Sequence, residues 1–271
     1  MSVEPEVFAT PDDLGRRTAR MVADGIVAAR EAGRPYVLGC PGGRSAAPTY
    51  AALADLVRAE RLVLDHLVVV MMDDYLVPGP DGTLVHEVAT APHSCIRFGR
   101  EEIVRPLDEA AGPGRGVGAD RLWFPDPADP TAYDGRIADL GGVDLFLLAS
   151  GASDGHIAFN PAGSARDSRT RVVELPDSTR RDNLGTFPSF GGELSRVPRH
   201  GVTVGIDTIA ASSASVVMLV HGREKGRAAA HLLAADAYDP AWPATVFVEC
   251  ARPHLFLDSE AFAAAEPVAA R

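Results

Sequence analysis

The strongest constraint in this chain is a repeated succession. A short, almost unbroken apolar run is followed by a helix-length amphipathic segment, and then by another run. "PYVLGC", "LVVVMM", "VDLFLLAS", "HGVTVGI", "SASVVMLV" and "HLFLD" read as strands. "TPDDLGRRTARMVADGIVAAREAG", "SAAPTYAALADLVRAE", "PTAYDGRIADLGG" and "EKGRAAAHLLAA" read as helices, the first capped by Thr10 and stopped near Gly33. A strand with one face in water alternates apolar and polar residues. These strands do not, so both of their faces are covered. Such strands, separated by helices, predict an α/β fold: a mostly parallel sheet with helices on both faces. Residues 77–130 are rich in Pro, Gly and Asp and read as an irregular surface excursion or lid. The tail "AFAAAEPVAAR" reads as a short helix or frayed end. With no repeat and no long linker in the pattern, residues 1–271 read as one domain.

Composition then narrows the function. A net charge of -11 is the wrong field for a nucleic-acid binder, so no nucleic-acid partner is expected. An anionic small molecule would need a local cationic pocket instead. Cys40, Cys95 and Cys250 are few, odd in number and far apart, which suggests neither a disulfide framework nor a thiolate metal site. The start "MSVEPEVFATPDDLGRR" lacks the basic-then-apolar order of a signal peptide. No apolar run reaches the ~18 residues of a membrane span. The expectation is a soluble cytoplasmic protein with no membrane partner.

In an open parallel sheet, ligands bind at the carboxyl ends of the strands. Ionisable and glycine residues recur there four times: Gly42-Gly43-Arg44-Ser45, Asp73-Asp74, Asp154-Gly155-His156, and Lys225. The glycines bring backbone N–H groups towards an anion at a helix start, with the Ser45 hydroxyl as a further donor. Alone, they are equally a plain strand-to-helix turn. The pattern is neither a dinucleotide fingerprint nor a Walker loop. Of Asp73 and Asp74, adjacent on an extended chain, one faces the crevice and is placed to act as a general base. Alone, the pair reads more simply as loop or helix caps. His156 suits proton transfer near neutrality, with Asp154 to orient its ring and the Asn160 amide close by. A structural histidine in a turn is its plain alternative. Lys225 opens a helix against the dipole, which an anionic ligand would offset. Alone, it reads as a surface lysine.

Taken together, "LGCPGGRSAAPTY", "VVVMMDDYL", "VDLFLLASGASDGHIAFNPAGSARDSRTRVVEL", "VPRHGVTVGIDTI" and "VVMLVHGREKGRAA" resemble successive motifs of the glucosamine-6-phosphate deaminases (isomerases). Their superfamily includes the 6-phosphogluconolactonases. The likeness runs over roughly residues 10 to 260. It implies a modified Rossmann-like fold and a reaction with no metal or organic cofactor. The implied substrate is a small-molecule sugar phosphate, whose ring is opened before a proton moves from C2 to C1 and ammonia leaves. By this resemblance Asp73 is the C2 base, His156 the ring-opening acid and base, and Asp154 its partner. Gly42, Gly43 and Lys225 belong to a phosphate cradle, to which Arg44 and Ser45 are added here. Asp74 and Asn160 are further candidate substrate contacts. Relatives range from monomers to hexamers, so a homo-oligomer is compatible.

The chain departs from the family in three places, one of them "WPATVFVEC", where the family often carries a His near Cys250. Where the family carries a third acid after the histidine there is Pro161, with Asp167 the nearest alternative in sequence. Where the family carries a phosphate-binding Arg there is Gly185, with Arg44, Arg180 and Arg181 as replacements. The departures leave two alternatives in view, a lactonase and a sugar-phosphate-binding paralogue without activity.

Overall fold

The computed structural model describes residues 3–265. The last six residues of the predicted tail, 266–271, lie outside them. Its start is helical, as Ser259–Ala263.

The main sheet is parallel throughout. It consists of β1 (Pro5–Phe8), β2 (Tyr36–Cys40), β3 (Leu67–Met71), β6 (Leu122–Trp123), β7 (Leu145–Leu148), β10 (Val216–Val220) and β11 (Pro253–Asp258). Their spatial order is β1-β11-β10-β7-β2-β3-β6. Alternation along each strand splits its side chains between two cores. Leu38, Leu67, Val69, Met71, Leu145 and Leu147 pack on one face with Leu14, Val22 and Ile26 of α1 (Pro11–Glu31) and Leu53 and Val57 of α2 (Ala47–Glu60). Val37, Val68, Val70, Phe146 and Leu148 pack on the other with Tyr133 and Ile137. Ile209 and Leu232 complete that layer. Both faces are therefore apolar, which is why the strands show no polar alternation.

The helices of the second layer are α5 (Pro130–Asp139), α7 (Ile206–Ser212) and α8 (Gly226–Ala234). Helix α1 starts as its sequence predicts. Thr10 Oγ1 accepts the Asp13 N–H at 3.1 Å, and Pro11 fills the first turn, where no N–H is needed.

Two expectations need correction. First, "HGVTVGI" does not join the parallel sheet. It forms β9 (His200–Thr203) in a second, antiparallel sheet ordered β5-β4-β9-β8, with β4 (Asp73–Pro78), β5 (Leu84–His86) and β8 (Arg171–Glu174). Val202 is buried there, so the strand looks like one from the parallel sheet. A single residue, Met72, separates β3 from β4, so the chain passes from one sheet straight into the other.

Second, residues 77–130 are not an irregular lid. They include β5, α3 (Cys95–Phe98), a π-helical stretch Gly99–Val104, α4 (Arg105–Ala111) and β6. Cys95, Ile103, Leu107 and Ala111 bury into the same core as α1 and α2. The prolines and glycines between these elements mask their helical spacing. No helix among the described residues is long and apolar enough to cross a membrane.

Candidate active site

Strands β10, β7 and β2 are neighbours in the middle of the parallel sheet. The segments after their carboxyl ends meet around one cavity of about 140 Å³. Pro41–Ser45 line it from β2, Ala149–Ala152 and His156 from β7, and His221, Glu224 and Lys225 from β10. Asp73 enters from β4.

The glycine loop turns on Gly43, whose φ of 91° is open to glycine and strained for other residues. The turn leads through Arg44–Ala46 into α2, so the loop stands just before a helix start at the cavity wall. Gly42, Gly43, Arg44 and Ser45 all line the wall.

Asp73 and Asp74 separate as strand alternation requires. Asp73 lines the cavity yet is only 7% exposed. Burial pushes its carboxyl up to about 7; Asp74 adds to the rise, while the Cys95 hydrogen bond and His156 oppose it. Cys95 Sγ lies 3.3 Å from Asp73 Oδ1 and donates to it. Asp74 points the other way and is fully buried. Its Oδ1 accepts from Tyr75 N at 2.9 Å and from Cys95 N at 2.8 Å, and its Oδ2 lies 2.9 Å from His86 Nδ1. Asp74 ties β4 to β5 and α3. It is not part of the cavity wall, which corrects its reading as a substrate contact.

The Asp154-Gly155-His156 turn forms a pair. Gly155 has φ 66°, and a Cβ there would run into the Trp242 ring, so the turn needs glycine on both counts. His156 Nδ1 lies 2.7 Å from Asp154 Oδ1. Asp154 Oδ2 accepts from Thr179 Oγ1, also at 2.7 Å. Burial would raise the Asp154 carboxyl, but its bonds to His156 and Thr179 outweigh that and hold it well below its ordinary value. With Asp154 ionised, Nδ1 carries the ring proton, and Nε2 is the nitrogen free to exchange one.

Lys225 Nζ donates to Ser150 O at 2.6 Å, beside the glycine loop. Burial pulls its ammonium below the ordinary value, and the Asp182 carboxylate opposes this.

Asn160 does not reach the cavity. It is fully buried. Its Nδ2 donates to Val204 O at 2.7 Å and Ile157 O at 3.0 Å, and its Oδ1 accepts from Arg171 Nη1 at 2.8 Å. With its amide engaged by protein, it clamps the loop and does not bind substrate. Pro161 opens the next turn, where its carbonyl accepts from Ser164 N and Oγ. Asp167 is exposed and lies off the cavity wall.

The sequence reading missed α6 (Asp177–Leu184) and the turn after it, which close the cavity with Asp182, Asn183, Thr186 and Phe187. Asp182 Oδ2 accepts from Ser153 N at 2.9 Å and Oδ1 from Ser153 Oγ at 2.7 Å. Asp154, His156 and Asp182 bring ligand-type atoms within 4.8 Å of one another. These side chains are already hydrogen-bonded within the protein, and we assign them no metal. The resemblance pointed in "STRRDNLGTF" only to Gly185 and the neighbouring arginines, and nothing local marks Asp182 or Asn183 as site residues. Cys95 and Tyr75 were missed too. Tyr75 carried a signal, since it stands two residues after Asp73 on a strand.

The three candidate replacements for the missing family Arg separate cleanly. Arg180 is buried, with Nη1 on Asp177 at 2.7 Å and Nη2 on Leu194 O at 2.6 Å. Arg181 faces Asp177 at 3.7 Å. Arg44 lines the cavity, and its Nη2 stands 3.8 Å from where a Cβ at Gly185 would be. A guanidinium thus occupies the space beside Gly185, supplied from the glycine loop.

Residues 9–256 match the family described as glucosamine-6-phosphate isomerases/6-phosphogluconolactonase. A glucosamine-6-phosphate deaminase of Beutenbergia cavernae is 36% identical over 241 residues, 89% of this chain and 85% of the relative. A monomeric glucosamine-6-phosphate deaminase superposes with a TM-score of 0.81 at 27% identity, over 97% of this chain and 100% of its own. The 6-phosphogluconolactonase of Thermotoga maritima follows at 0.65 and 16% identity, over 94% and 100%, a likeness of fold. A parallel sheet carrying its glycine loop, His–Asp pair and lysine at adjacent strand ends, matched along nearly its whole length, places this chain in the glucosamine-6-phosphate isomerase/6-phosphogluconolactonase family.

Proposed function

We propose that the protein is an aldose–ketose isomerase and deaminase acting on an amino-sugar phosphate of the glucosamine 6-phosphate type. The observation that carries this is one cavity holding a buried carboxyl poised near neutrality, a His–Asp pair and a cationic glycine loop. The loop amides of Gly42 and Gly43, the Ser45 hydroxyl, Arg44 and Lys225 bind the phosphate. This fixes the sugar's position relative to both acid–base groups. His156 Nε2 exchanges the proton that opens the ring, with Asp154 holding the imidazole. Asp182 is the carboxylate that stands beside this pair, where Pro161 has no acid to offer.

In the open chain, the Asp73 carboxylate takes the C2 proton, the freed pair forms a C1–C2 double bond, and the C1=O π pair moves to O1, which takes a proton from water to give an enolamine. Asp73 then returns the proton to C1, which leaves an imine at C2. Water adds to that imine and ammonia leaves, giving the ketose phosphate. A carboxyl near 7 both takes and returns a proton at little cost at cellular pH. We place the enzyme in the cytoplasm, where sugar phosphates are available. The direct test is incubation with glucosamine 6-phosphate. Ammonia and ketose phosphate should appear in equal amounts. Acid release from a sugar-phosphate lactone without any ammonia from the amino sugar would overturn this reading.

The Arg44 assignment has its own consequence. Arg44→Ala should raise KM for the phosphorylated sugar by roughly 10- to 100-fold, the worth of one charge-assisted bond to phosphate, with a smaller effect on kcat. Gly185 has an ordinary φ of -73° and tolerates a side chain. Adding Gly185→Arg to Arg44→Ala should therefore restore part of the affinity. Steady-state kinetics of both variants decide this, and an unchanged KM in Arg44→Ala would remove Arg44 from the cradle.

A further inference from the structure

Several buried side-chain polar atoms have no hydrogen-bond partner among the described residues, and two of them belong to residues of the cavity wall: Tyr75 Oη and Asn183 Nδ2. Buried donors are almost always paired, so two unpaired ones on residues that line one cavity call for an explanation. We propose that this pair recognises one hydroxyl on the substrate's carbon chain, between the reacting carbons and the phosphate, and so sets specificity among amino-sugar phosphates. The inference rests on the function proposed above and deepens it.

Placement supports the assignment. Tyr75 is two residues from Asp73 on β4, on the same side of the strand, and both line the cavity. Its ring is fully buried against Phe159, Phe187, Phe190 and His93. The ring is therefore locked, and its hydroxyl cannot swing out to water. Asn183 follows Asp182 on α6. That helix begins its contact with the site at the Thr179–Asp154 bond, and the turn after it ends beside Arg44. Asn183 thus lies between the proton-transfer end and the anion end.

The chemistry selects a neutral hydroxyl. Burial lifts the Tyr75 phenol well above its ordinary value, so it stays protonated. The Asn183 amide is close enough to oppose that rise, yet the two do not reach hydrogen-bond geometry. An amide N–H needs an acceptor, whereas a phenol can donate or accept. A sugar hydroxyl satisfies both at once. An anion is drawn instead to Arg44 and Lys225, and is repelled here by Asp73 and Asp74, whose charges act on Tyr75.

Tyr75→Phe separates this role from a packing role. The variant keeps the ring and removes an unpaired buried oxygen, so the free protein should melt at the same temperature or higher. With glucosamine 6-phosphate, kcat/KM should fall about tenfold, the upper worth of a neutral hydrogen bond. The fall should disappear for one of the 3-deoxy and 4-deoxy analogues and persist for the other. Asn183→Ala should lose affinity for the same hydroxyl. A drop of several degrees in melting temperature, an unchanged kcat/KM, or an equal loss across both analogues would overturn the assignment. Calorimetric binding of the unreactive 2-amino-2-deoxyglucitol 6-phosphate keeps the two readings apart. No binding by the unaltered protein would overturn the proposed function together with this inference. Equal binding by the unaltered protein and Tyr75→Phe would overturn the inference alone.

Discussion

Asp73→Asn should abolish exchange of the substrate's C2 proton with solvent while making the folded protein more stable at pH 8. The first effect follows from the base: a positioned general base contributes roughly 10²- to 10⁴-fold, and an amide cannot replace it. The second follows from burial. The Asp73 carboxyl sits near 7 in the folded protein, against about 3.9 in the unfolded chain. Below the unfolded value both states hold the proton and nothing is lost. Between about 4 and about 7 the folded state keeps a proton that the unfolded chain releases, so stability declines as pH rises. Above about 7 the cost is complete, at most roughly 4 kcal/mol from three units at about 1.4 kcal/mol each. Asn carries no such cost, and its Oδ1 can still accept from Cys95. The variant should melt several degrees higher at pH 8 and gain nothing at pH 4. In the unaltered protein, kcat/KM should rise with pH through about 7 as the base ionises. Tritium release from C2-labelled substrate and melting curves at the two pH values check both halves. Retained exchange would sink the catalytic assignment. A lower melting temperature at pH 8 would sink the burial argument.

Asp154→Asn should show the opposite stability sign together with a comparable loss of turnover. Its carboxyl is held well below the ordinary value, because its bonds to His156 and Thr179 exceed the cost of burial. A depressed carboxyl stabilises the fold at pH values above its unfolded value, and the contribution fades as pH falls below about 4. Replacing it should cost roughly 1–3 kcal/mol at pH 7, the worth of hydrogen bonds to a charged group, and a somewhat smaller amount at pH 3, because the contribution disappears only as pH falls on through the depressed folded value. Without the carboxylate the imidazole loses the charge that fixes its tautomer, so kcat should fall by roughly 10²- to 10⁴-fold. Ammonia release and denaturant unfolding at pH 7 and pH 3 read the two effects. Wild-type turnover in Asp154→Asn would show that His156 acts without its partner.

Much of this site was legible because it obeys a positional rule. Apolar runs mark strands, and the residues after parallel strands face the crevice, so the glycine loop, Asp73, His156 and Lys225 could be found from their place in the chain. Alternation also separated Asp73 from Asp74. The sequence misleads where one residue type serves two ends. Asn160 and Asp74 are polar residues at strand ends, yet their polar atoms are consumed by backbone and neighbours, and no local pattern distinguishes such a clamp from a ligand. Asp182 and Asn183 reach the cavity from a helix that joins the site only through packing, and only the fold brings them to His156 and Tyr75. The second sheet was hidden because Val202 and its neighbours are buried as deeply as any strand of the first.

The one-residue joint between β3 and β4 limits how this lineage can vary. Side chains on a strand alternate with a period of two, so inserting or deleting one residue at Met72 would turn every following position to the other side. Asp74 would face the cavity, and Asp73 would meet the partners that now hold Asp74. Length changes in the chain are therefore barred at this point, whereas the exposed turn at 79–82 can absorb them. Substitution can reshape the cavity wall residue by residue, but the spacing from Leu67 to Tyr75 must be inherited intact.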